Sequence, residues 1–577
     1  MRIVFKTSLK RCPDCNKTLK SHRTETRHII SIDNGIFTAV HRIRKCSKCG
    51  KLFRSESLDK MIEPYCTYAN DIMIDVAMKR FIDGRSCGEI SRESTYGISE
   101  RQARNLSNMA LDIMGKIHDE SFSILKKYLS SYILQIDGTV DGDFAMIVVV
   151  RDSISGFTLY SEKCFSESED SITEILKRIN DRFGIPSGTI SDMRAGILSA
   201  IRKVFPGIPT RICLMHFLRD LGKDLMKDMH TDLGMMINRM GIKSRIKVIF
   251  RDLPEYDMKC IRDLEFGFCT DTSSMEMMCI RRILEPTMGT GSSGYGFPFS
   301  LRHFNFYNAC VNAKREIDDL RTVVKDGNSH DILEELSDLI SKVADNSAIH
   351  DLASRTGSVN ATFQALRKAF HIPHKGELSE DIDNIKDDET VHDTCNIFIG
   401  QMKAILKGGA STRDIDAAKQ IIAAYEKWEV HLFAQNSAGT IPRTNNSIEQ
   451  FFRKIRRNVR KRTGNIATGR LLSLNGDKLA IFQNMAIPKY MKLIFGTSST
   501  ASRFGSYRKG LRKNSIHSIP RKRIVELVDK GKKDLVSGKL RNEPYSDETM
   551  GIAYNGRDTE LKQGSCDDER SNSLLPA

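Results

Sequence analysis

The order of strands and helices after residue 130 constrains the fold of this chain more than any other feature. Three short β-prone runs come first, and the hydrophobic period then changes to alternating helix and strand. The predicted strands are Tyr132 to Ile136, Phe144 to Val150, Gly156 to Ser161, Thr189 to Ser191 and Arg211 to Leu214. Helices are predicted between the third, fourth and fifth strands, where apolar residues recur at helical spacing. This order predicts a mixed α/β sheet.

Two carboxylates stand at the ends of predicted strands. Asp137 follows the first strand and Asp192 follows the fourth. Because the carboxyl ends of neighbouring parallel strands share one edge of a sheet, these two side chains could meet. Taken alone, either is better explained as a solvated turn residue. Three other acids, Asp141, Asp143 and Asp152, are interpreted as hairpin-turn residues.

A third carboxylate, Glu449, lies at the start of a very basic helix. Apolar residues at helical spacing form its predicted buried stripe, and Glu449 lies on an adjacent face with Arg453, Arg456 and Arg460. Seven Lys or Arg occur between residues 453 and 462, including Arg457. A solvated Glu–Arg pair would explain one arginine but not seven cations. A metal-binding carboxylate flanked by phosphate-binding arginines fits better. Thr444, Asn445 and Asn446 are predicted to cap this helix.

Together these acids predict phosphoryl-transfer chemistry. Hard divalent cations prefer carboxylate oxygens, and two such ions can neutralise the entering and leaving oxygens of a phosphodiester. We therefore expect Asp137, Asp192 and Glu449 to hold two Mg²⁺ or Mn²⁺ ions.

Four cysteines near the start have metal-site spacing. Cys12 and Cys15 form one Cys-x-x-Cys pair, and Cys46 and Cys49 form another thirty residues later. Four thiolates match one structural, tetrahedral Zn²⁺. A β-prone stretch between the pairs is interrupted by Asp33-Asn34-Gly35, a hairpin turn signal, so a zinc ribbon is predicted. Free thiols or redox pairs are the alternative.

Residues 68 to 118 are predicted to form three helices. Ser86 begins the second helix with Glu89 as a capping-box partner, and Ser99 begins the third. The third helix carries base-reading side chain types near its start, namely Arg101, Gln102, Arg104 and Asn105. This pattern is typical of a helix-turn-helix, and a plain three-helix bundle is the alternative.

Charge and apolar patterning indicate the partner and the compartment. A formal net charge of +16 favours a polyanionic partner, nucleic acid before membrane. Fourteen cysteines in 577 residues do not form a disulfide scaffold, and the start has no apolar signal region. The expected protein is soluble and cytoplasmic, associated with the nucleoid and not with a membrane.

The motif order resembles a known family. Ile136-Asp137-Gly138, Ser191-Asp192, Cys213-Leu-Met-His216, a long insertion and Asn445-Asn446-Ser447-Ile448-Glu449 resemble DDE transposases of prokaryotic insertion sequences, most closely the group allied to Mutator-like elements. The resemblance implies an RNase H-like core, a catalytic role for His216, double-stranded DNA partners (transposon ends and target), and a homodimer or larger assembly on DNA. Without the resemblance, a buried Cys213 and a hydrogen-bonded core His216 are the generic interpretation.

The predicted fold is therefore multidomain. Its parts are a zinc ribbon (1–60), an all-α helix-turn-helix domain (61–128), an α/β RNase H-like catalytic core (129–225 and 441–495) interrupted by a large α-helical insertion (226–440), and a basic then acidic, partly disordered tail (496–577). Within the insertion, the acid-rich stretch from Glu377 to Asp393 is interpreted as a solvated loop. Two other functions stay open: a transposase-derived DNA-binding regulator without catalysis, and another RNase H-like nuclease.

Overall fold

The computed structural model describes residues 1–63, 66–139, 146–164, 168–289, 296–372, 387–407, 412–496, 499–511 and 521–538. The chain forms two compact units, Met1–Tyr507 and Arg508–Ala577. The predicted hairpin turn at residues 141–143 and the acidic end of the predicted tail lie outside the described residues. Across the described residues, no helix combines the length and the apolar character needed to cross a membrane.

The N-terminal part of the chain is a small sheet that carries the four cysteines. Its strands are β1 (Arg2–Lys6), β2 (Leu19–Ser31), β3 (Gly35–Cys46) and β4 (Leu52–Phe53). β2 and β3 pair antiparallel around the predicted turn, so the hairpin prediction is confirmed. β1 pairs parallel with β3, a pairing that the sequence did not predict.

A group of helices follows the sheet. They are α1 (Glu56–Met61), α2 (Asn70–Phe81), α3 (Cys87–Glu93), α4 (Glu100–Glu120) and α5 (Phe122–Tyr128). The predicted capping box is present at the start of α3, where Ser86 and Glu89 satisfy each other's backbone N–H groups. At the start of α4, the Ser99 side chain accepts a hydrogen bond from the Gln102 backbone N–H, as predicted.

The central sheet is mixed, as predicted. Its elements are β5 (Ile133–Thr139), β6 (Met146–Asp152), β7 (Thr158–Cys164), α6 (Glu169–Phe183), β8 (Gly188–Ser191), α7 (Ala195–Val204) and β9 (Thr210–Ile212). The strands lie in the order β7-β6-β5-β8-β9, with β5, β8 and β9 parallel and β6 and β7 antiparallel. The predicted end of β5 at Ile136 is wrong. Pairing with β6 carries the strand on to Thr139, so Asp137 lies inside β5.

Helices alone form the described part of the insertion. They are α8 (Leu214–Arg239), α9 (Ile242–Asp252), α10 (Met258–Glu265), α11 (Thr272–Met288), α12 (Arg302–Val323), α13 (Gly327–Ala344), α14 (Ser347–Ala369), α15 (Asp388–Lys407) and α16 (Thr412–Leu432). α8 leaves the edge of the central sheet and runs unbroken across residue 225, so it belongs to both regions. Two apolar clusters lie along it, one around Phe217 and one around Leu233.

The chain then returns to the central sheet. The remaining elements are α17 (Asn446–Thr463), α18 (Gly469–Phe482), a short 3₁₀ helix (Gln483–Ala486), α19 (Pro488–Phe495), α20 (Thr500–Leu511) and α21 (Arg521–Val536). The predicted apolar stripe of α17, which includes Ile448 and Phe452, packs against Ile147 and Val149 of β6. This packing is what returns the chain, after the long insertion, to the strand next to β5.

Candidate functional site

Asp137 lies in β5, and Asp192 comes directly after the neighbouring strand β8. β5 and β8 pair parallel as far as Gln135 opposite Ile190, and Asp137 and Asp192 each come two residues after this last pair. The charge of Asp192 acts on Asp137, so the two carboxylates are near each other. Both are buried, with 8% and 4% of their surface exposed. Two carboxylates buried next to each other need a compensating positive charge.

Gln135 ties the start of α17 to the strand that carries Asp137. Its Nε2 donates to Asn445 Oδ1 at 2.6 Å, and its Oε1 accepts from Ser447 Oγ at 2.8 Å. The Asn445 backbone N–H donates to Cys213 Sγ at 3.1 Å. These bonds correct the predicted side-chain capping by the residues before Glu449. Asn445 occupies the N-cap position, but its side chain makes no capping bond because it is fully buried against Gln135.

His216 and Glu449 meet across the gap between α8 and α17. His216 lies in the first turn of α8, and its Nε2 is 3.6 Å from Glu449 Oε1. Arg219, one turn further along α8, places Nη1 at 4.0 Å from the same oxygen. Burial lowers the pKa of His216, and the charge of Glu449 opposes this shift. The generic interpretation of His216 as a hydrogen-bonded core residue does not describe this geometry, because Nε2 faces Glu449 and the buried Nδ1 has no hydrogen-bond partner among the described residues.

The pKa values of the buried acids show a site that resists negative charge. The pKa of Asp137 is raised to about 7. Burial is the largest cause, and the charges of Asp192 and Glu449 contribute to the same rise. Burial also raises the pKa of Asp192 to about 6, with Asp220 of α8 adding to the effect. Arg194 Nε lies 3.0 Å from Asp192 Oδ2. Groups whose ionised forms are destabilised in this way are neutralised by protons or by cations.

The donor set fits hard divalent cations. Asp137, Asp192 and Glu449 supply carboxylate oxygens and no sulfur, which suits Mg²⁺ or Mn²⁺. Among the described residues, only the four N-terminal cysteines form a group of three or more candidate ligand atoms within 4.8 Å of one another. No choice of one oxygen from each of these three carboxylates therefore brings all three within that distance. Ligands shared between two ions about 4 Å apart can have such a spacing.

The four cysteines form a cluster that could bind zinc. Cys12 Sγ is 3.6 Å from Cys49 Sγ, and Cys15 Sγ is 3.3 Å from Cys46 Sγ. Zn–S bonds of about 2.3 Å in a tetrahedron require sulfur atoms just under 4 Å apart, close to these distances. Backbone N–H groups of Cys49 and Lys48 lower the pKa of the Cys46 thiol to about 6, which favours the thiolate form that zinc needs.

The predicted DNA-contacting side chains on α4 lie near its exposed start. Arg101, Arg104 and Asn105 are exposed, and Gln102 is half-buried. These four residues are on the surface of α4 and none of them belongs to the carboxylate cluster.

The cations of α17 divide into two groups. Arg453, Arg457 and Arg460 are exposed, and Arg456 bonds to Thr139 at the end of β5. At the other end, Lys461 Nζ donates to Asp83 O at 3.0 Å, and the Arg462 guanidinium lies 4.9 Å from the centre of the Phe81 ring. Two of the seven cations therefore hold α17 against the end of α2 and the turn that follows it.

The acid-rich stretch from Glu377 to Asp393 contains a residue that sequence reasoning missed, at the start of α15. Asp388 binds Arg211 of β9 through both oxygens, at 2.8 and 2.9 Å, and accepts from Arg443 Nε at 2.7 Å. The interpretation of this stretch as a solvated loop is wrong at Asp388, because both arginines are buried and share its charge. Arg443 O in turn accepts from the Leu214 backbone N–H at the start of α8. The cluster thus joins the insertion to both segments that flank the site.

Comparisons with known proteins assign no family to this chain. No protein-family model matches the chain, and no curated protein is significantly similar to it in sequence. Among solved structures, the chain is similar to the Drosophila P element transposase strand transfer complex, with 10% sequence identity and a TM-score of 0.30, covering 74% of this chain and 98% of that one. Identity and superposition at this level carry no argument about function.

Proposed function

We propose that this protein is a DNA transposase that binds the ends of its own element and catalyses metal-dependent strand cleavage and strand transfer. The observation that supports the proposal is that the charges of Asp192 and Glu449 both act on the buried Asp137, while Gln135 of the same strand bonds to Asn445 and Ser447 at the start of α17. The strand order β7-β6-β5-β8-β9 supports an RNase H-like core, in which acids on the central strands form the catalytic centre.

In this proposal, Asp137, Asp192 and Glu449 hold two Mg²⁺ or Mn²⁺ ions, which supply charge neutralisation at the entering and leaving oxygens of a phosphodiester. Residues of the chain supply the remaining functions of the site. Burial of Asp137 and Asp192 excludes water and strengthens the electrostatic interactions within the site. His216 orients the Glu449 carboxylate through its Nε2, and Arg219 assists it from the next turn.

The basic face of α17 would bind the DNA backbone next to the carboxylates. Arg453, Arg456, Arg457 and Arg460 are on α17, which carries Glu449 in its first turn, so a phosphate held by Arg453, one turn further on, would lie near the acids. The helix pair α3 and α4 would read bases with Arg101, Gln102, Arg104 and Asn105. A zinc ion held by the four cysteines would be structural, since four thiolates leave no open position.

The test is nicking of supercoiled DNA that carries the sequences flanking the chain's own reading frame. We expect cleavage that requires Mg²⁺ or Mn²⁺ and is lost in Asp192→Asn and Glu449→Gln. Asp181→Asn, at an exposed position of α6, is the matched control and should cleave normally. Specific binding without cleavage by the unaltered protein would support the regulator instead. Cleavage of RNA–DNA hybrids in preference to duplex DNA would support another nuclease.

A further inference from the structure

Two cysteine sulfur atoms are in contact within the α-helical insertion. Cys260 lies in α10 and Cys269 in the loop between α10 and α11, and their Sγ atoms are 3.7 Å apart. Among the described residues, no third candidate ligand atom from His, Cys, Asp or Glu lies within 4.8 Å of both sulfur atoms. Tetrahedral zinc needs more ligands than two thiols provide. The two thiols are therefore available for the chemistry of sulfur itself.

The loop that carries Cys269 is tied to the helices on both of its sides. Thr270 Oγ1 donates to the Asp263 carboxylate of α10, and Asp271 caps α11 by accepting from the Ser274 backbone N–H at 3.0 Å. The Cys269 thiol donates to the backbone carbonyl oxygen of Asp271 at 3.3 Å. These bonds hold the loop beside α10, which keeps its thiol within reach of the thiol on that helix.

The two thiols differ in their access to solvent. Cys269 is exposed, whereas Cys260 is only 1% exposed. Burial, followed by the hydrogen bond to Cys269, raises the pKa of the Cys260 thiol to about 11, so this thiol is protonated at neutral pH. The thiolate is the form that attacks a disulfide. A reagent in solution therefore meets Cys269 first, and Cys260 reacts with a group that is already attached to Cys269.

We propose that Cys260 and Cys269 form a reversible oxidation site, which a small-molecule disulfide such as oxidised glutathione converts to an intramolecular disulfide. The Cys269 thiolate attacks one sulfur of the reagent, so the S–S bond of the reagent breaks, a mixed disulfide forms and one glutathione thiolate leaves. The Cys260 sulfur then loses its proton and attacks the Cys269 sulfur, which expels the second glutathione thiolate. Two protein thiols are oxidised, one molecule of reagent is reduced, and the two protons end on the two glutathione thiols.

The contact between the sulfur atoms is what makes the second step fast. Cys260 is held beside the mixed disulfide at a high effective concentration, which offsets its small thiolate fraction. The product joins α10 covalently to the loop that enters α11. The proposal does not depend on the proposed function of the protein.

The experiment incubates the zinc-loaded, full-length protein with a series of oxidised-to-reduced glutathione ratios at one total glutathione concentration. Free thiols are then alkylated, and the cysteine peptides are identified by mass spectrometry. We expect a Cys260–Cys269 disulfide that is half formed at a ratio at least about tenfold lower than the ratio that half modifies the partly buried Cys66, because only the pair has an intramolecular step. Excess dithiothreitol should restore both thiols.

Single substitutions separate the two steps. Cys260→Ser should stop at a mixed disulfide on Cys269. Cys269→Ser, at an exposed position where the substitution should not disturb folding, should leave Cys260 reduced. Cys279→Ser is the matched control, because Cys279 of α11 also lies close enough to Cys269 for the Cys269 charge to act on it. This variant should form the disulfide as the unaltered protein does.

The absence of a Cys260–Cys269 disulfide in the unaltered protein at every ratio overturns the proposal. A disulfide that joins Cys269 to Cys279, or to a second copy of the chain, also overturns it, because Cys260 would then not be the resolving thiol. DNA and Mn²⁺ are left out of the assay, so failure of the catalytic proposal would leave these results unaffected.

Discussion

The ion pairs of Asp388 lead to a quantitative prediction. Asp388 is the shared partner of Arg211, which is 2% exposed, and Arg443, which is 5% exposed. Replacing Asp388 with Ala removes the negative charge that both guanidinium groups share. Breaking a buried ion pair costs about 3–5 kcal/mol, and because the Asp388 side chain is itself 24% exposed we expect a loss near the lower end, about 3 kcal/mol.

The neighbouring residue provides the matched control. Asp387 is exposed and accepts hydrogen bonds from Thr390 N at 2.7 Å and Thr390 Oγ1 at 2.8 Å, as a helix cap does. Asp387→Ala should cost only about 1 kcal/mol. Both variants remove one carboxylate from the same stretch of chain, so the difference between them isolates the buried pair.

The single tryptophan makes the assay local. Trp428 of α16 packs against the apolar cluster that also contains Val391 of α15, so its fluorescence reports on the part of the fold that Asp388 holds. Urea unfolding followed at Trp428 should show a much lower midpoint for Asp388→Ala than for Asp387→Ala. Equal midpoints for the two variants would refute the reasoning.

The pH dependence has a definite sign. Burial alone would raise the pKa of Asp388, but hydrogen bonds and charge from Arg211, together with Gln435 and Arg443, bring it well below its ordinary value. A depressed pKa gives stability that is present above the unfolded-state value of about 3.9 and is lost as the pH falls through the folded-state value. The deficit of Asp388→Ala should therefore be constant near neutral pH and shrink in strong acid.

Three further predictions concern the site and the cysteine cluster. Asp137→Asn should stabilise the metal-free protein at pH 8 by roughly 2–4 kcal/mol in urea unfolding, because a raised pKa gives stability that is lost as the pH rises through about 7. The gain should be smaller at pH 5 and absent below about pH 4; an equal gain at every pH would contradict the assigned cause. Gln135→Leu removes both bonds to the start of α17 and should lower the free energy of unfolding by about 2 kcal/mol. It should also reduce nicking more than it reduces DNA binding. Unchanged nicking would show that Glu449 is placed by other contacts. Cys46→Ser should lower the zinc content, measured by elemental analysis, from about one ion per chain to near zero, and Cys66→Ser should leave it unchanged.

Local signals in the sequence predicted the elements well. The two cysteine pairs, the turn at Asp33–Gly35 and the Ser86 capping box depend on residues close together in the chain, and the structure contains each of them. The strand and helix order of the central sheet was predicted for the same reason, since apolar periodicity is a local property.

Contacts between distant residues could not be predicted in this way. Asp388 and Arg211 are 177 residues apart, and a carboxylate in an acid-rich stretch gives no local sign that it is buried with arginines. The extension of β5 to Thr139 depends on its pairing with β6, which the sequence of β5 alone does not reveal. Gln135 was a readable signal that was passed over: it is a polar residue inside an apolar strand, and such a residue needs a buried partner.

The central claim is that Asp137, Asp192 and Glu449 form one divalent-cation site, and Mn²⁺ binding tests it most directly. The zinc-loaded protein should bind about two Mn²⁺ ions per chain in equilibrium dialysis, displaced by Mg²⁺ and measured without DNA. Asp192→Asn and Glu449→Gln should each lose bound Mn²⁺, while Asp181→Asn should bind as the unaltered protein does. Full Mn²⁺ binding in both Asp192→Asn and Glu449→Gln would contradict the account.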